Sequence, residues 1–584
     1  MKVKYKYIVI CVLGLIFASC EEFLDRPPYD NFTDDEFWMT ETQTRSYMYS
    51  FYTSVFSGYG SGISHGPFLM GQTLNDDFAS DISQKDLTPL EVPVSDGGWN
   101  FSLIRKANYV IENIERLDAD AATINHWTGI ARFFRAVYYS NMVFRYGDVP
   151  YMDHVPIISD KKEDLDYLYK DRDPRAFVVD KILEDFQFAM DNVRINDGAL
   201  QINKYVVAGM ASRMMLREGT FLKYHNIDLA KAEKCLLFAK NAALLAMSGP
   251  YSISDSYNAL FASDDLAGNA EILMYRKYLD GVLAHSTLAY SYQDPQGGAS
   301  KSLAESFSKS NGFPIYYNDE FWTAPTDSAF FADRDPRLSL CIRPKYYLKG
   351  GDNSPFAYTL SGYSWCKFMD DSKAGQKDPT FARERNVTDA PCLRLGEVLL
   401  NYVEAAYELH LINDSHPFGQ EDLDKSINLL RARSGIDMPA LQFVGGKPAV
   451  DGEVYDDPKR SEINPEGDVD PMLWEIRRER RVELCFEGFR LNDLKRWKKL
   501  DYLWNGINPD IRYGAYIRLD DYPDLDASVV LEDDALTEGY ILRNTERQRN
   551  RPIPRNYINP VPSGQIQLYK SHGYTLTQTK EWAE

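Results

Sequence analysis

What most restricts the fold of this chain is an apolar rhythm of three and four residues that recurs through its first half. In Gly129–Arg145, Ile130, Phe133, Phe134, Val137, Tyr138 and Phe144 fall on one side of a helix. Pro150 bars any continuation of that helix. Pro174–Val193 carries a second stripe of Ile182, Leu183, Phe186 and Met190. Asp173 reads as its N-cap and Pro174 as its first helical residue. Tyr205–Arg217 and Leu229–Met247 are rich in Ala, Leu and Met, and Gly249-Pro250 ends the second. Their alanines (208, 211, 230, 232, 239, 242 and 243) suit close helix approach. The expected fold is therefore mostly α, a tetratricopeptide-like helical repeat scaffold with loop-rich insertions and a few short strands. No clean 34-residue period emerges.

Residues 250–390 lack a long helical period and read as loop-rich, with a short strand at Glu271–Tyr275. Helices return within 391–500, at Leu393–His410, Leu423–Arg433 and Met472–Phe486. Residues 501–552 read as loop again. The expected division is 1–19 leader, 20–31 tether, 32–249 helical repeats and 250–584 C-terminal region, the last two packed as one unit. Asp-Arg-Asp-Pro-Arg occurs at 171–175 and at 333–337, where Asp-Pro reads as a capped first turn.

Lys2, Lys4 and Lys6 precede a ten-residue apolar run, Ile8–Phe17, then Ala18, Ser19 and Cys20. That pattern is a secretory leader, too short for a span that needs roughly 20 residues. Cys20 after small residues resembles a bacterial lipobox, with Phe17 where that pattern prefers Leu. Cleavage before Cys20 would remove three Lys and no acid, taking the net charge from −21 to −24. Such a balance excludes nucleic acid as the main partner and disfavours a basic face for anionic lipid. Arg26-Pro27-Pro28-Tyr29-Asp30-Asn31 forms an extended tether. Cys235, Cys341, Cys366, Cys392 and Cys485 are widely spaced and read as small buried apolar residues, not a disulfide framework.

No HExxH, GxSxG or GxxxxGK[ST] motif is present, and no His pair stands at i, i+4. Trp474–Leu484 is dense in Arg and Glu. Its acids contradict nucleic-acid binding, and its interleaved charges, such as Arg480 and Glu483, read as a partly buried ion-pair network.

Arg478-Glu479-Arg480-Arg481-Val482-Glu483-Leu484-Cys485-Phe486-Glu487-Gly488-Phe489-Arg490, continued by Asp493-Leu494-Lys495-Arg496-Trp497, resembles the signature of the SusD/RagB outer-membrane lipoproteins. Colinear matches extend through Phe23-Leu24-Asp25, Ala131–Ala136 with Tyr146–Pro150, Asp335–Leu338, Leu393–Ala405 and Arg551–Pro554. Gly396 and Val403 stand where that family usually has Ala. The resemblance implies a lipid on Cys20, with Glu21, Glu22 and Asp25 similar to a surface-export signal. It also implies a place on the outer membrane and a TonB-dependent β-barrel transporter as partner. The implied cargo is a glycan that is bound and not converted, with peptide or glycoprotein as the alternative. A glycoside hydrolase with two facing carboxylates and a protein-only scaffold are the remaining readings. No cofactor is implied beyond the lipid, a structural calcium being left open.

A saccharide offers flat C–H faces to aromatic rings and hydroxyls to polar neighbours. Loops rich in both are Asn75-Asp76-Asp77, Gly97-Gly98-Trp99-Asn100, Tyr290-Ser291-Tyr292-Gln293 and Phe321-Trp322. The expected ligand-binding residues are Asp76, Trp99, Asn100, Tyr290, Tyr292 and Trp322, with Trp99 the leading platform. No catalytic or metal residue is expected.

Overall fold

The computed structural model describes residues 38–583 except 39, 65, 67, 69–74, 80–86, 88, 289–297, 320–321, 347, 349–358, 360, 371–379, 381, 524, 526–528, 534 and 544–549. The leader, Cys20 and the tether lie outside the described residues, as do Tyr290 and Tyr292.

Six long helices build the first half: α1 Glu41–Val55, α2 Ser102–Asn113, α3 Ala121–Tyr146, α4 Arg175–Asn192, α5 Lys204–Tyr224 and α6 Leu229–Met247. α3 packs on α4 and α5 on α6. The chain is a mostly α, tetratricopeptide-like scaffold. α3 starts at Ala121, not Gly129, because Asp120 accepts the Thr123 N–H at 2.8 Å. α4 starts one residue late. Asp173 turns away to accept the Tyr151 N–H, and Asp148 accepts the Arg175 N–H at 2.7 Å instead. α5 continues past Arg217 to Tyr224, and α6 has the expected bounds.

Close helix approach rests on missing side-chain volume. Ala208, Ala211, Ala232, Ala239, Ala242 and Ala243 are buried, whereas Ala230 is exposed. At Gly209 in α5, a Cβ would stand 2.8 Å from Leu393 Cδ2. That distance leaves no room for a methyl group.

In the second half, β1 Ile272–Arg276 pairs antiparallel with β2 Ala390–Arg394, which leads directly into α7 Leu395–Ile412. Leu393 and Arg394, expected as helix, are thus strand. α7 packs against α6 and joins the two halves. The expected helix Leu423–Arg433 is two short ones, Gln420–Asp424 and Ile427–Arg431. A small sheet of β3 Gln442–Val444, β4 Lys447–Val450 and β5 Glu453–Val454 comes next, then α8 Pro471–Glu483 and α9 Arg490–Arg496. The span that reads as loop at 501–552 contains a three-stranded sheet. It has the order β6 Tyr513–Arg518, β8 Glu538–Leu542, β7 Val530–Leu531.

Two main cores result. One joins α2–α7 through Met472, Leu473 and Ile476 of α8. The other gathers the loop-rich segments and β6–β8, and receives Val482, Cys485 and Phe486 from the end of α8. Cys235, Cys341, Cys366 and Cys485 are buried, as expected of small apolar residues, and Cys392 is half-buried. Among the described residues, no helix is long and apolar enough to cross a membrane.

Candidate functional site

α8 holds both cores through charge. Glu475, Glu479 and Glu483, spaced by four, present a buried row of carboxylates on one helix face. Arg431 reaches Glu475 at 2.9 Å and Glu479 at 2.6 Å. Arg337 reaches Glu479 and Glu483, Arg394 meets Glu483 at 2.8 Å, and Arg433 meets it at 3.1 Å. Burial alone would raise the Glu479 pKa, but Arg431, Arg337 and Arg478 bring it down to about 2. The expected ion-pair network is present, with different partners. Arg480 bonds Asp493 at 2.9 Å and Asn401, not Glu483.

The arginines of α8 and α9 also fix two loop segments. Arg490 grips both carboxylate oxygens of Asp76, at 2.8 and 2.7 Å, and Arg481 bonds Asp77 at 2.8 Å. Ser300 bonds this segment from the other side, its hydroxyl donating to the Asp76 carbonyl at 2.6 Å. Arg481 also reaches Ser302 Oγ, and Arg478 reaches the Ser306 carbonyl. The short helix Lys301–Ala304 is thereby locked in place.

Lys301 stands at the centre of the candidate site. Its ammonium is nearly enclosed and lies 2.8 Å from Asp510 and 3.0 Å from Glu305. Lys459 bonds Asp510 as well. Around this charged knot stands a wall of half-buried rings. The Lys301 Nζ is 4.7 Å from the Tyr540 ring centroid and 5.9 Å from that of Tyr316. The Tyr316 hydroxyl donates to Glu305 at 2.6 Å. Trp322 meets Tyr316 edge to face at 6.4 Å, and Arg334 lies 5.4 Å from the Trp322 ring. On the other flank, Tyr516 stands 5.1 Å from Tyr540 and Tyr513 stands 6.1 Å from it. Residues three apart on a regular strand would face opposite ways. A register shift between Tyr513 and Tyr516 brings both rings to Tyr540.

A cleft of about 890 Å³ lies elsewhere, between the ends of α3 and α5 and the C-terminal segments. It is lined by Arg172, His225, Lys499, Asp501 and Tyr557, among others. Much of its charge is already matched: Lys499 bonds Asp468 at 2.7 Å, and Arg172 donates to the Gln578 carbonyl at 2.8 Å. Burial lowers the His225 pKa to about 4, so that imidazole is neutral at pH 7.

Residues 288–582 match the SusD family. The chain belongs to the SusD family. It is 23% identical over 540 residues to "SusD-like protein P2" of Formosa agariphila, covering 88% of this chain and 94% of that protein. A SusD-like protein of Bacteroides ovatus is 22% identical over 87% of this chain and 86% of its own. Among solved structures, a SusD-like carbohydrate-binding protein from Bacteroides fragilis superposes with a TM-score of 0.64 at 19% identity, covering 91% and 99% of the two chains. A laminarin-binding SusD-like protein gives 0.52 at 16% identity, with 93% and 99% covered.

Within this SusD-family chain the expected ligand residues do not converge. Trp99 is only 8% exposed, its ring closed in by Tyr146 at 4.9 Å and Phe101 at 5.8 Å, both edge-on. It is a core residue and offers no free face. Asp76 is fully buried and spent on Arg490, so it supports the wall from behind and cannot meet a hydroxyl. Asn100 is exposed, but its side-chain carbonyl accepts the Ser102 N–H at 2.8 Å at the start of α2. Trp322 alone among the described expected residues stands in the wall. Tyr316, Tyr513, Tyr516 and Tyr540 are absent from the expected set, because the strands that carry three of them read as loop in the sequence. Gly396, where an Ala is usual, has the Arg394 guanidinium 2.3 Å from where a Cβ would sit.

Proposed function

We propose that this chain is a saccharide-binding lipoprotein of the cell surface, anchored through Cys20, that passes its cargo to a TonB-dependent β-barrel transporter in the outer membrane. Membership of the SusD family and the named carbohydrate-binding and laminarin-binding relatives support a saccharide over a peptide or glycoprotein. The observation that carries the reading is the wall of Trp322, Tyr316, Tyr540, Tyr516 and Tyr513. Its rings are half-buried, so each is held by packing and stays partly open to solvent, where a sugar could stack. The charges behind them orient the rings: Glu305 takes the Tyr316 hydroxyl, and Lys301 sits between Tyr316 and Tyr540. Binding without turnover fits the acids here, since Glu305 and Asp510 are both buried and both engaged by Lys301.

The test is retention on a panel of polysaccharides in affinity gels, then calorimetry on whichever is retained. Each ring stack contributes about 1 kcal/mol, so Trp322→Ala and Tyr540→Ala should each weaken binding about five- to tenfold. The reading fails if both variants bind like the wild-type chain. It also fails if the chain retains no saccharide but captures peptides, or if it cleaves what it binds.

A further inference from the structure

Phe144, near the C-terminal end of α3, carries two cations. The Arg217 guanidinium carbon is 4.5 Å from its ring centroid and the Lys495 ammonium 4.7 Å. Among the described residues, no carboxylate lies within 4 Å of either one. Arg217 is held by neutral groups alone, Asn141 Oδ1 and Ser140 Oγ, each at 3.0 Å. The contrast with α8 is sharp, since each buried arginine of its network has an acid beside it. Burial costs a cation several kcal/mol unless an anion compensates. A chain of net charge −21 has acids in surplus, yet among the described residues none is paired with Arg217 or Lys495.

More positive charge surrounds the pair. Arg145, Arg175 and Arg213 act on these two from α3, α4 and α5, and Lys498 adds its charge at the neighbouring His225. The carboxylates nearby are already bound: Glu218 to Arg175 at 2.7 Å, Glu397 to Arg213, Glu487 to Arg394 at 2.7 Å, Asp493 to Arg480 at 2.9 Å, and Asp96, which lies within reach of the Arg145 charge, to the Tyr146 hydroxyl. Lys495 and Arg217 are half-buried and Arg145 is exposed, so the group opens to solvent. Arg217 also borders a hollow of about 200 Å³, shared with Asn492 on the turn of α9 before Lys495.

We propose that Arg217 and Lys495 form an oxyanion-binding site that takes a sulfate or phosphate group. Guanidinium and ammonium donors arriving from separate helices suit a tetrahedral oxyanion, which accepts hydrogen bonds in several directions. A doubly charged group would supply the compensation that the protein withholds. With protein groups alone around it, Lys495 is strained electrostatically: burial and the Arg145, Arg175 and Arg217 charges push its pKa down to about 7. Arginine cannot relieve the repulsion by losing a proton, so Lys495 does so. A bound oxyanion reverses this and draws a proton onto Lys495. Affinity for sulfate, a dianion throughout this range, should therefore fall as pH rises from 6 to 8. His225 does not interfere there, being neutral throughout.

The test uses the full chain in detergent and an amine-acylating reagent at pH 7.5, with labelling of Lys495 read by peptide mass spectrometry. Sodium sulfate and inorganic phosphate are compared with sodium chloride at equal ionic strength. Sulfate or phosphate at ten times its dissociation constant should slow labelling of Lys495 about tenfold and raise the Tm by about 1 °C. Arg217→Gln and Lys495→Met should abolish the Tm shift while folding normally. A sulfated polysaccharide that protects Lys495, where its desulfated form does not, identifies an ester on a glycan as the source. Protection by the free ions alone identifies a small oxyanion. Equal protection by chloride overturns the proposal, as does a Tm shift that survives Lys495→Met. Should the variants not fold, the labelling of the wild-type chain decides by itself.

Discussion

Replacing Glu483 by Gln removes one negative charge and almost no volume. Glu483 is fully buried and faces three guanidiniums, with Arg394 at 2.8 Å, Arg433 at 3.1 Å and Arg337 at 3.2 Å. A Gln keeps one acceptor and turns an NH₂ donor toward a cation. None of the three arginines can discharge by losing a proton. Removing one member of a buried pair costs about 3–5 kcal/mol, because the partner stays charged and uncompensated. Other acids moderate the loss: Arg337 keeps Asp335 at 2.7 Å, Arg394 keeps Glu487 at 2.7 Å, and Arg433 keeps Glu271 at 3.0 Å. The expected cost is therefore about 3 kcal/mol, the lower end of that range. Urea unfolding at pH 7, monitored by circular dichroism, should show it as a lower midpoint with the slope unchanged. Glu41→Gln is the control, since Glu41 is 37% exposed and its bonds to Arg194 and Arg45 should be worth under about 1 kcal/mol. If Glu483→Gln costs no more than Glu41→Gln, the network does not stabilise the fold as argued.

The same carboxylates set an acid limit. Glu479 and Asp76 are lowered to about 2, and Glu483, Glu487 and Asp493 are lowered as well by their arginines. Depressed folded-state values contribute stability above the unfolded value and lose it as pH falls through the folded one. Stability measured by urea midpoints should hold down to about pH 4.5 and fall steeply toward pH 2, and a flat profile there would contradict the pairing. Trp99→Ala should cost about 3–5 kcal/mol in thermal or urea unfolding. Saccharide retention per folded molecule should stay unchanged, and a selective loss of retention would return Trp99 to the site. Gly396→Ala should destabilise by about 1–3 kcal/mol despite the better helix propensity of Ala, because the methyl would meet Arg394. A gain in midpoint would show that this guanidinium can move aside.

The helical half was legible because its signal is local. A stripe at spacing three and four marks α3 and α4, and a composition rich in Ala, Leu and Met marks α5 and α6, whereas α1 and α2 were not expected and the starts of α3 and α4 were misplaced. Asp173 has the chemistry of an N-cap, but tertiary contacts gave that work to Asp148. The strands β6–β8 were not legible. They are two to six residues long, and the bulge before Tyr516 breaks the alternation that would reveal a strand. Trp99 and Asp76 misled for a related reason. Gly97-Gly98-Trp99-Asn100 has the composition of an exposed loop, yet a Cβ at Gly98 would stand 2.1 Å from Arg145 Nη1. The glycine is there for close packing, and the tryptophan beside it is covered by the same neighbours. Asp76 finds Arg490 more than four hundred residues away, a pairing that no local pattern announces.

The family signature and the ring wall stand in a definite physical relation. Loop-rich segments have few backbone ladders to fix their positions, and apolar contact alone does not specify direction. Bidentate arginine pairs do, because both partners are planar and the bond has a fixed geometry. Here the arginines and glutamates of the signature together address several separate segments. Arg490 and Arg481 hold 76–77, Arg481 and Arg478 hold 302–306, and Glu479 and Glu483 draw in Arg337, Arg394, Arg431 and Arg433. The helix so fixed at 301–304 places Lys301 under the rings. On the proposed function this charged motif acts on the cargo only at one remove: it sets where the wall stands, while Trp322, Tyr316, Tyr513, Tyr516 and Tyr540 would set what the wall can grip.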